Sequence, residues 1–377
     1  MKARIPPLIY LDYSATTKTD QRVLECFNAL AENYSANPNS SHALGVEVKG
    51  IIDDAIKNLA DYFGVHPDEI IFTSGASESN NLAIKGIAEN SGRKQIITTQ
   101  LEHSSVFGPI GYLQKSGYKV DFVSLKDNGT VDIEHLKSLI SGDTLLISIG
   151  AVDSETGTRQ PVEEIGLLLK EKEEIYFHSD ITQCLGKIPI DLTNIDLASF
   201  SGHKIYCLKG IGGLIKKQNI KMTPLIHGGK STTIFRSGTP QTELIGSLAR
   251  SFDLFNATLD EKYDYVAGLN KKLQNELLKY TYVAVNSSER AIPHILNVSI
   301  VGRKADDTQK YFAEHNIFIS TRTACASNED LSKSVLATTK DEARAASSVR
   351  ISLSYKTTEE ELEEFIEIFR QYMGRGK

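Results

Sequence analysis

From about residue 70 to residue 217 the chain repeats one pattern: a short apolar run, a turn of small polar residues, then residues at helical spacing. The runs are EIIF, QIITT, YKVDFVS, TLLISIG, EIYFHSD, DLASFSG and GGLIKK. Parallel strands need a crossover, usually a helix, so this alternation predicts βαβ units and a mostly parallel sheet. The runs lack strict apolar–polar alternation, as expected of strands covered on both faces. Residues 47–63 (EVKGIIDDAIKNLADYF) carry apolar positions at helical spacing ahead of them.

After about residue 256 the texture changes. A long charged helical stretch comes first, then HILNVSI, a helix, IFIST, VRISLS and a last amphipathic helix, TTEEELEEFIEIFRQYM. That order predicts a smaller α+β domain. The expected division is a large domain over residues 15–256, with residues 1–14 and 257–377 forming the small one. The N-terminal segment is expected to pack across both.

Composition excludes several classes. Hydrophobic residues make up 40% of the 377 and charged residues 24%, as in a soluble globular protein. A net charge of -6 argues against direct nucleic-acid binding. No apolar run of about 18 residues suggests a membrane span, and the opening MKARIPPLIYLDYSATT has no signal-peptide core. A cytoplasmic location is expected. Cys26, Cys184, Cys207 and Cys325 are widely spaced with no CxxC, so neither a disulfide framework nor a metal site is expected.

Ligands of open α/β sheets bind beyond the carboxyl ends of the strands. EIIF is followed by Thr73-Ser74-Gly75-Ala76-Ser77, where free backbone N–H groups at a helix start could hold a phosphate. A plain helix cap reads the same way. QIITT is followed by Glu102-His103-Ser104, TLLISIG by Asp153-Ser154-Glu155, and EIYF by His178-Ser179-Asp180 with Gln183 beyond. DLASF is followed by Ser201-Gly202-His203-Lys204. A lysine at a buried strand end is unusual, since most lysines are solvated.

Nucleotide motifs are absent. Gly229-Lys230-Ser231 has Pro224 where a P-loop needs its first glycine, and no GxGxxG occurs. Pyridoxal 5'-phosphate suits the set better. Its aldehyde needs a lysine, its pyridine nitrogen a carboxylate and its phosphate N–H and hydroxyl donors. Lys204, Asp180 and the Ser77, Ser201 and His203 group could supply these. A lysine that merely caps a strand end is the bland alternative.

The chain resembles the cysteine desulfurases, NifS- and IscS-like enzymes of the class V pyridoxal-phosphate aminotransferase family. The matching stretches run in family order from residue 10 to about 355: YLDYSATT, NPNSSH, IIFTSGASESNNLAIKG, TQLEHSSV, HSDITQCLGKIPIDL, SFSGHKIYCLKGIGGL, HGG with FRSGT, PHILNVS, TACAS and SSVRISLS. The resemblance implies an aspartate aminotransferase-like fold, the pyridoxal-phosphate-dependent transferase fold. Lys204 would be the lysine that bonds the cofactor. Asp180 would pair with the ring nitrogen, Gln183 would bond the ring hydroxyl, and His103 would stack on the ring and take part in proton transfer. Ala76, Ser77, Ser201 and His203 would hold the phosphate. Thr239 would reach the phosphate of a second subunit, which implies a homodimer. Arg350 would grip the substrate carboxylate. In VRISLS it lies on the face opposite Val349, Ile351 and Leu353, where it could clamp a carboxylate bidentately.

Cys325 stands in TRTACASN, a polar small-residue stretch expected to be a mobile loop, with Arg322 near enough to favour a thiolate. The other three cysteines read as inert. By the resemblance, Lys204 removes the substrate α-proton, and the Cys325 thiolate takes the sulfur of L-cysteine. L-alanine leaves and a persulfide remains on Cys325. An acceptor protein then receives the sulfur, either an iron–sulfur cluster scaffold or a tRNA or cofactor thiolation enzyme.

The sequence departs from its relatives at Ser154, where they usually carry Asn near the ring oxygen. It departs again in TRTAC, in LSYKT and at Cys207. These suggest a dedicated branch, for instance one serving tRNA thiolation rather than general iron–sulfur assembly. The residues from Cys325 to Leu336 have the length of the long-loop group. A selenocysteine lyase, another class V lyase or aminotransferase, and a relay protein that has lost catalysis are the competing readings.

Overall fold

The computed structural model describes residues 8–172, 174–321 and 331–374. Among them run strands β1 (Ile9–Tyr10), β2 (Ile70–Thr73), β3 (Gln95–Thr98), β4 (Lys119–Phe122), β5 (Thr144–Ser148) and β6 (Tyr176–Asp180). They continue with β7 (Leu197–Ser201), β8 (Gly212–Lys216), β9 (Val283–Val285), β10 (Ile295–Ile300), β11 (Ile317–Phe318) and β12 (Ser348–Ser352).

The expected mostly parallel sheet is present. Seven strands pair in the order β2-β8-β7-β6-β5-β3-β4. Only β8 runs antiparallel to its neighbours in that sheet. The connection over residues 202–211 is too short for a crossover, so β8 returns beside β7 in the opposite direction.

The missing polar alternation now has its cause. Successive residues of one strand enter two different cores. Ile97, Ile147, Ala198 and Ile215 pack with Phe177, Phe200 and Phe252 on one face. Ile96, Leu146, Leu197 and Leu214 pack with Leu82, Ile84 and Ile110 on the other. Both faces of the sheet are therefore dry from β2 to β3, while the edge strand β4 meets water.

A third core is separate. It gathers around the antiparallel sheet β12-β10-β9 and the helices Leu259–Leu277, Ala305–Glu314 and Glu359–Gly374. Phe312 stacks on Phe365 at 4.9 Å inside it.

The N-terminal segment touches both parts. β1 pairs with β11, Ile9 opposite Ile317. The next residues leave that sheet: Asp12 bridges to Ser352, and Thr17 N–H donates to the His203 carbonyl at 2.9 Å. This strap lies between β12 and the turn after β7, where the lysine sits. No helix of the described residues is long and apolar enough to cross a membrane.

Candidate active site

The turns after β2, β3, β5, β6 and β7 open onto one cavity of about 220 Å3. Its wall includes Ala76, Ser77, His103, Ser154, Asp180, Gln183, Ser201, His203, Lys204 and Arg350. Ten of the eleven described residues expected at the site thus meet in one space. Thr239, the eleventh, is exposed and lies outside that wall. Cys325 and Arg322 lie outside the described residues.

Lys204 ends the short 3-10 turn Gly202–Lys204 that follows β7. Its amine donates to the Ala15 carbonyl at 2.8 Å and to the Ser14 carbonyl. Burial, with the nearby Arg350 and Lys187 charges, pushes this amine down to about 7. An amine so placed is substantially neutral, and hence nucleophilic and basic, near neutral pH. Asp180 closes β6. Its Oδ2 accepts from Asn80 Nδ2 at 2.8 Å and its Oδ1 from Thr182 N–H at 3.0 Å.

The turn after β2 forms a cradle. Helix Ala76–Ala88 begins at Gly75, which has no side chain to cap it, so past Ala76 the first-turn N–H groups of Ser77 and Glu78 carry no capping side chain. Ser201 Oγ accepts from Ala76 N–H at 2.7 Å and so ties this helix start to β7. Gly75 has φ 146, and a Cβ there would stand 3.1 Å from Ser201 Oγ. A Cβ at Gly212 would stand 2.7 Å from Gly75 Cα. Only glycine permits backbone to approach this closely. His203 closes the group, its Nδ1 3.1 Å from Thr16 Oγ1. Burial and the Lys204 charge push its imidazole down to about 4.

His103 caps helix Ser104–Lys115, with Nδ1 2.8 Å from Ser105 Oγ. Burial lowers its basicity despite the carboxylate of Asp180. Beside it Glu102 accepts from Thr99 Oγ1 at 2.8 Å and from Gly150 N–H at 3.0 Å. Burial outweighs those bonds and pushes its carboxyl up to about 8. Arg350 is 1% exposed and reaches the cavity from β12. Its Nη2 donates to Asp12 Oδ1 at 2.7 Å and its Nη1 to the Ser154 carbonyl at 2.9 Å.

The described residues bordering 322–330 are also fixed near this cavity. Ser320 exchanges backbone bonds with Arg350. Beyond the segment, Ser334 Oγ donates to Asp153 Oδ1 at 2.9 Å, and Ser332 Oγ to Glu155. The thiols of Cys184 and Cys207 are buried and pushed up to about 12, which leaves them inert.

Sequence reasoning passed over Asp12, Ser14, Ala15, Asn80 and Thr182. Asn80 had a weak signal, being one helical turn past Ala76. The carbonyls of Ser14 and Ala15 carry no side-chain signature at all.

The residues fit pyridoxal phosphate. Ser14 Oγ, Thr182 Oγ1 and Arg350 Nε belong to wall residues and are buried without a partner, as is Asn80 Oδ1 behind Asp180. Such atoms call for a polar occupant. The Gly75 cradle suits a phosphate, and an amine and a carboxylate share the wall. Among the described residues no group of three His, Cys, Asp or Glu could hold a metal ion.

Fold and cavity together define an α/β enzyme that works on a small polar molecule at the carboxyl edge of its sheet. Comparison with known proteins agrees. The family description "Aminotransferase class-V" matches residues 9–365. A cysteine desulfurase IscS of Rickettsia bellii is 39% identical over 366 residues, covering 94% of this chain and 88% of that protein. A solved NifS-like protein superposes with TM-score 0.92 at 33% identity, covering 98% of this chain and 100% of that one. A structure described as SspA in complex with cysteine gives TM-score 0.82 at 33% identity, covering 93% of this chain and 100% of that one. The chain belongs to the class V aminotransferase family, whose members are pyridoxal-phosphate dependent.

Proposed function

We propose that this protein is a cysteine desulfurase that converts L-cysteine to L-alanine and holds the sulfur as a persulfide on Cys325. One observation carries the reading: Lys204, Asp180, His103 and Arg350 converge on a single cavity lined by a phosphate cradle. The cysteine desulfurase relatives and the cysteine-bound neighbour support the substrate.

Pyridoxal phosphate, when bound, supplies an aldehyde for capturing an amino acid and a ring that takes up electrons from its α-carbon. Lys204 would hold it covalently, and Asp180 would keep its ring nitrogen protonated. Gln183 and Ser154 would face the ring oxygen, with Ser154 the shorter counterpart of the usual Asn. Ala76, Ser77, Ser201 and His203 would hold the phosphate, with Thr239 reaching that of a partner subunit. Arg350 would bind the substrate carboxylate through guanidinium N–H groups on the cavity side. Lys204, freed once the substrate amine takes its place, would then take the α-proton, a task suited to a free amine near 7. His103, its imidazole kept neutral by burial, passes protons at the ring. The Cys325 thiolate bonds the substrate sulfur, the carbon–sulfur bond breaks, and the released carbon is protonated to give alanine.

The reading takes residues 15–256 as the cofactor-binding domain and residues 1–14 with 257–377 as the small domain. It takes the working form as a cytoplasmic homodimer that passes sulfur to an acceptor protein, for iron–sulfur assembly or for tRNA thiolation. Alanine and sulfide formation from L-cysteine with a thiol reductant tests it, with Lys204→Ala as control. Equal formation of both is expected from the native protein and none from the variant. Preference for selenocysteine, with cysteine untouched, would favour a lyase instead.

A further inference from the structure

The proposed reaction gives no part to Lys187, which stands behind the cavity wall. Its side chain is 6% exposed. Burial pushes its amine down to about 8. Its charge also bears on His203, Lys204 and His294. A buried amine is costly to keep unless it makes a needed bond.

That bond goes to Gln183. Lys187 Nζ donates to Gln183 Oε1 at 3.4 Å. On the other side of the same amide, Gln183 Nε2 donates to the Ser14 carbonyl at 3.0 Å. An amine N–H must face an oxygen, and a carbonyl must face an N–H. Both neighbours therefore impose one orientation of the amide. Its nitrogen carries two hydrogens and Ser14 takes one. The other is left for an occupant of the cavity that Gln183 lines. Ser14 also accepts from Lys204, so a bonded chain runs from Lys187 through Gln183 and Ser14 to the lysine at the centre of the site.

We propose that Lys187 is a positioning residue that locks the Gln183 amide, so that a hydrogen-bond donor and not an acceptor faces the ring oxygen of the cofactor. This rests on the pyridoxal phosphate reading above.

The test uses the cofactor-loaded enzyme and two readouts besides activity: the pH midpoint of the visible-band change, and the rate of cofactor loss. Lys187→Met, Gln183→Ala and the double variant are compared with the native protein. A lost donor destabilises the deprotonated ring oxygen, so Lys187→Met should raise the midpoint by about half a unit or more. Cofactor loss should be roughly fivefold faster. In the Gln183→Ala background the same change should add only the part due to the lost charge near Lys204, because the remainder acts through the amide. Lys187→Gln, which keeps an N–H donor without the charge, should shift the midpoint less than Lys187→Met, by the part due to the lost charge alone. Should Lys187→Met fail to fold, Lys187→Ala alone and in the Gln183→Ala background carries the same comparison. An unmoved midpoint in Lys187→Met overturns the inference. So does an equal shift without Gln183, or a full shift in Lys187→Gln. A native protein that takes up no cofactor overturns the underlying reading instead.

Discussion

The Arg350 guanidinium holds the Asp12 carboxylate at 2.7 Å, joining β12 to the N-terminal strap. The same guanidinium bonds the Ser154 carbonyl and keeps its Nε buried and unpaired. Asp12 and Ser154 therefore fix the plane of the fork before any substrate carboxylate arrives. A lysine cannot reproduce three such directions. Arg350→Lys should raise KM for L-cysteine about ten- to a hundredfold, with a smaller loss in kcat. Steady-state kinetics checks this. An unchanged KM would place the substrate carboxylate elsewhere.

The Lys204 amine, pushed down to about 7, sets a pH dependence. A neutral amine attacks an aldehyde and an ammonium does not. Uptake of pyridoxal phosphate by the cofactor-free protein should rise through a midpoint near 7, well below the ordinary lysine value of 10.5. Stopped-flow absorbance across pH measures it. Lys204→Arg should give no visible band.

Glu102 links stability to pH. Its folded carboxyl keeps its proton up to about 8, against an ordinary value of 4.5. Between those values the folded state binds more protons than the unfolded one, so stability is lost as pH rises. Glu102→Gln stays uncharged and escapes the loss. Denaturant melts of the cofactor-free protein should show the variant gaining about 1–3 kcal/mol on the native protein between roughly pH 5 and pH 9. A difference that does not vary with pH would mean the acid is ionised throughout.

The cradle depends on a missing Cβ. Gly75→Ala places a methyl group 3.1 Å from Ser201 Oγ at φ 146. The fold should survive while cofactor affinity falls about tenfold or more. Equilibrium titration of the visible band checks it.

Much of this was legible in the sequence, for physical reasons. Doubly buried strands write themselves as apolar runs, and residues after them fall at one sheet edge. That placed Asp180, His103 and Lys204. Arg350 was legible by alternation, although its side of β12 is as buried as the other, being covered by the strap. The direction of β8 was decided by a loop too short to cross over. Asp12 was hidden because ordinary strap residues carry no periodic signal, and Asn80 because it sits among Leu82, Ala83 and Ile84 in a buried helix. Glu102 looked like any acid in a turn until burial set it apart.

The central claim concerns Cys325, and mass spectrometry after one turnover tests it most directly. The loaded protein is mixed with L-cysteine without reductant, alanine is counted per site, and the peptide carrying Cys325 is weighed. The account predicts one alanine per site and one added sulfur atom on Cys325, with Cys325→Ala binding cofactor but forming neither product. Alanine formed at the native rate by Cys325→Ala, or an unmodified Cys325 after turnover, would contradict it.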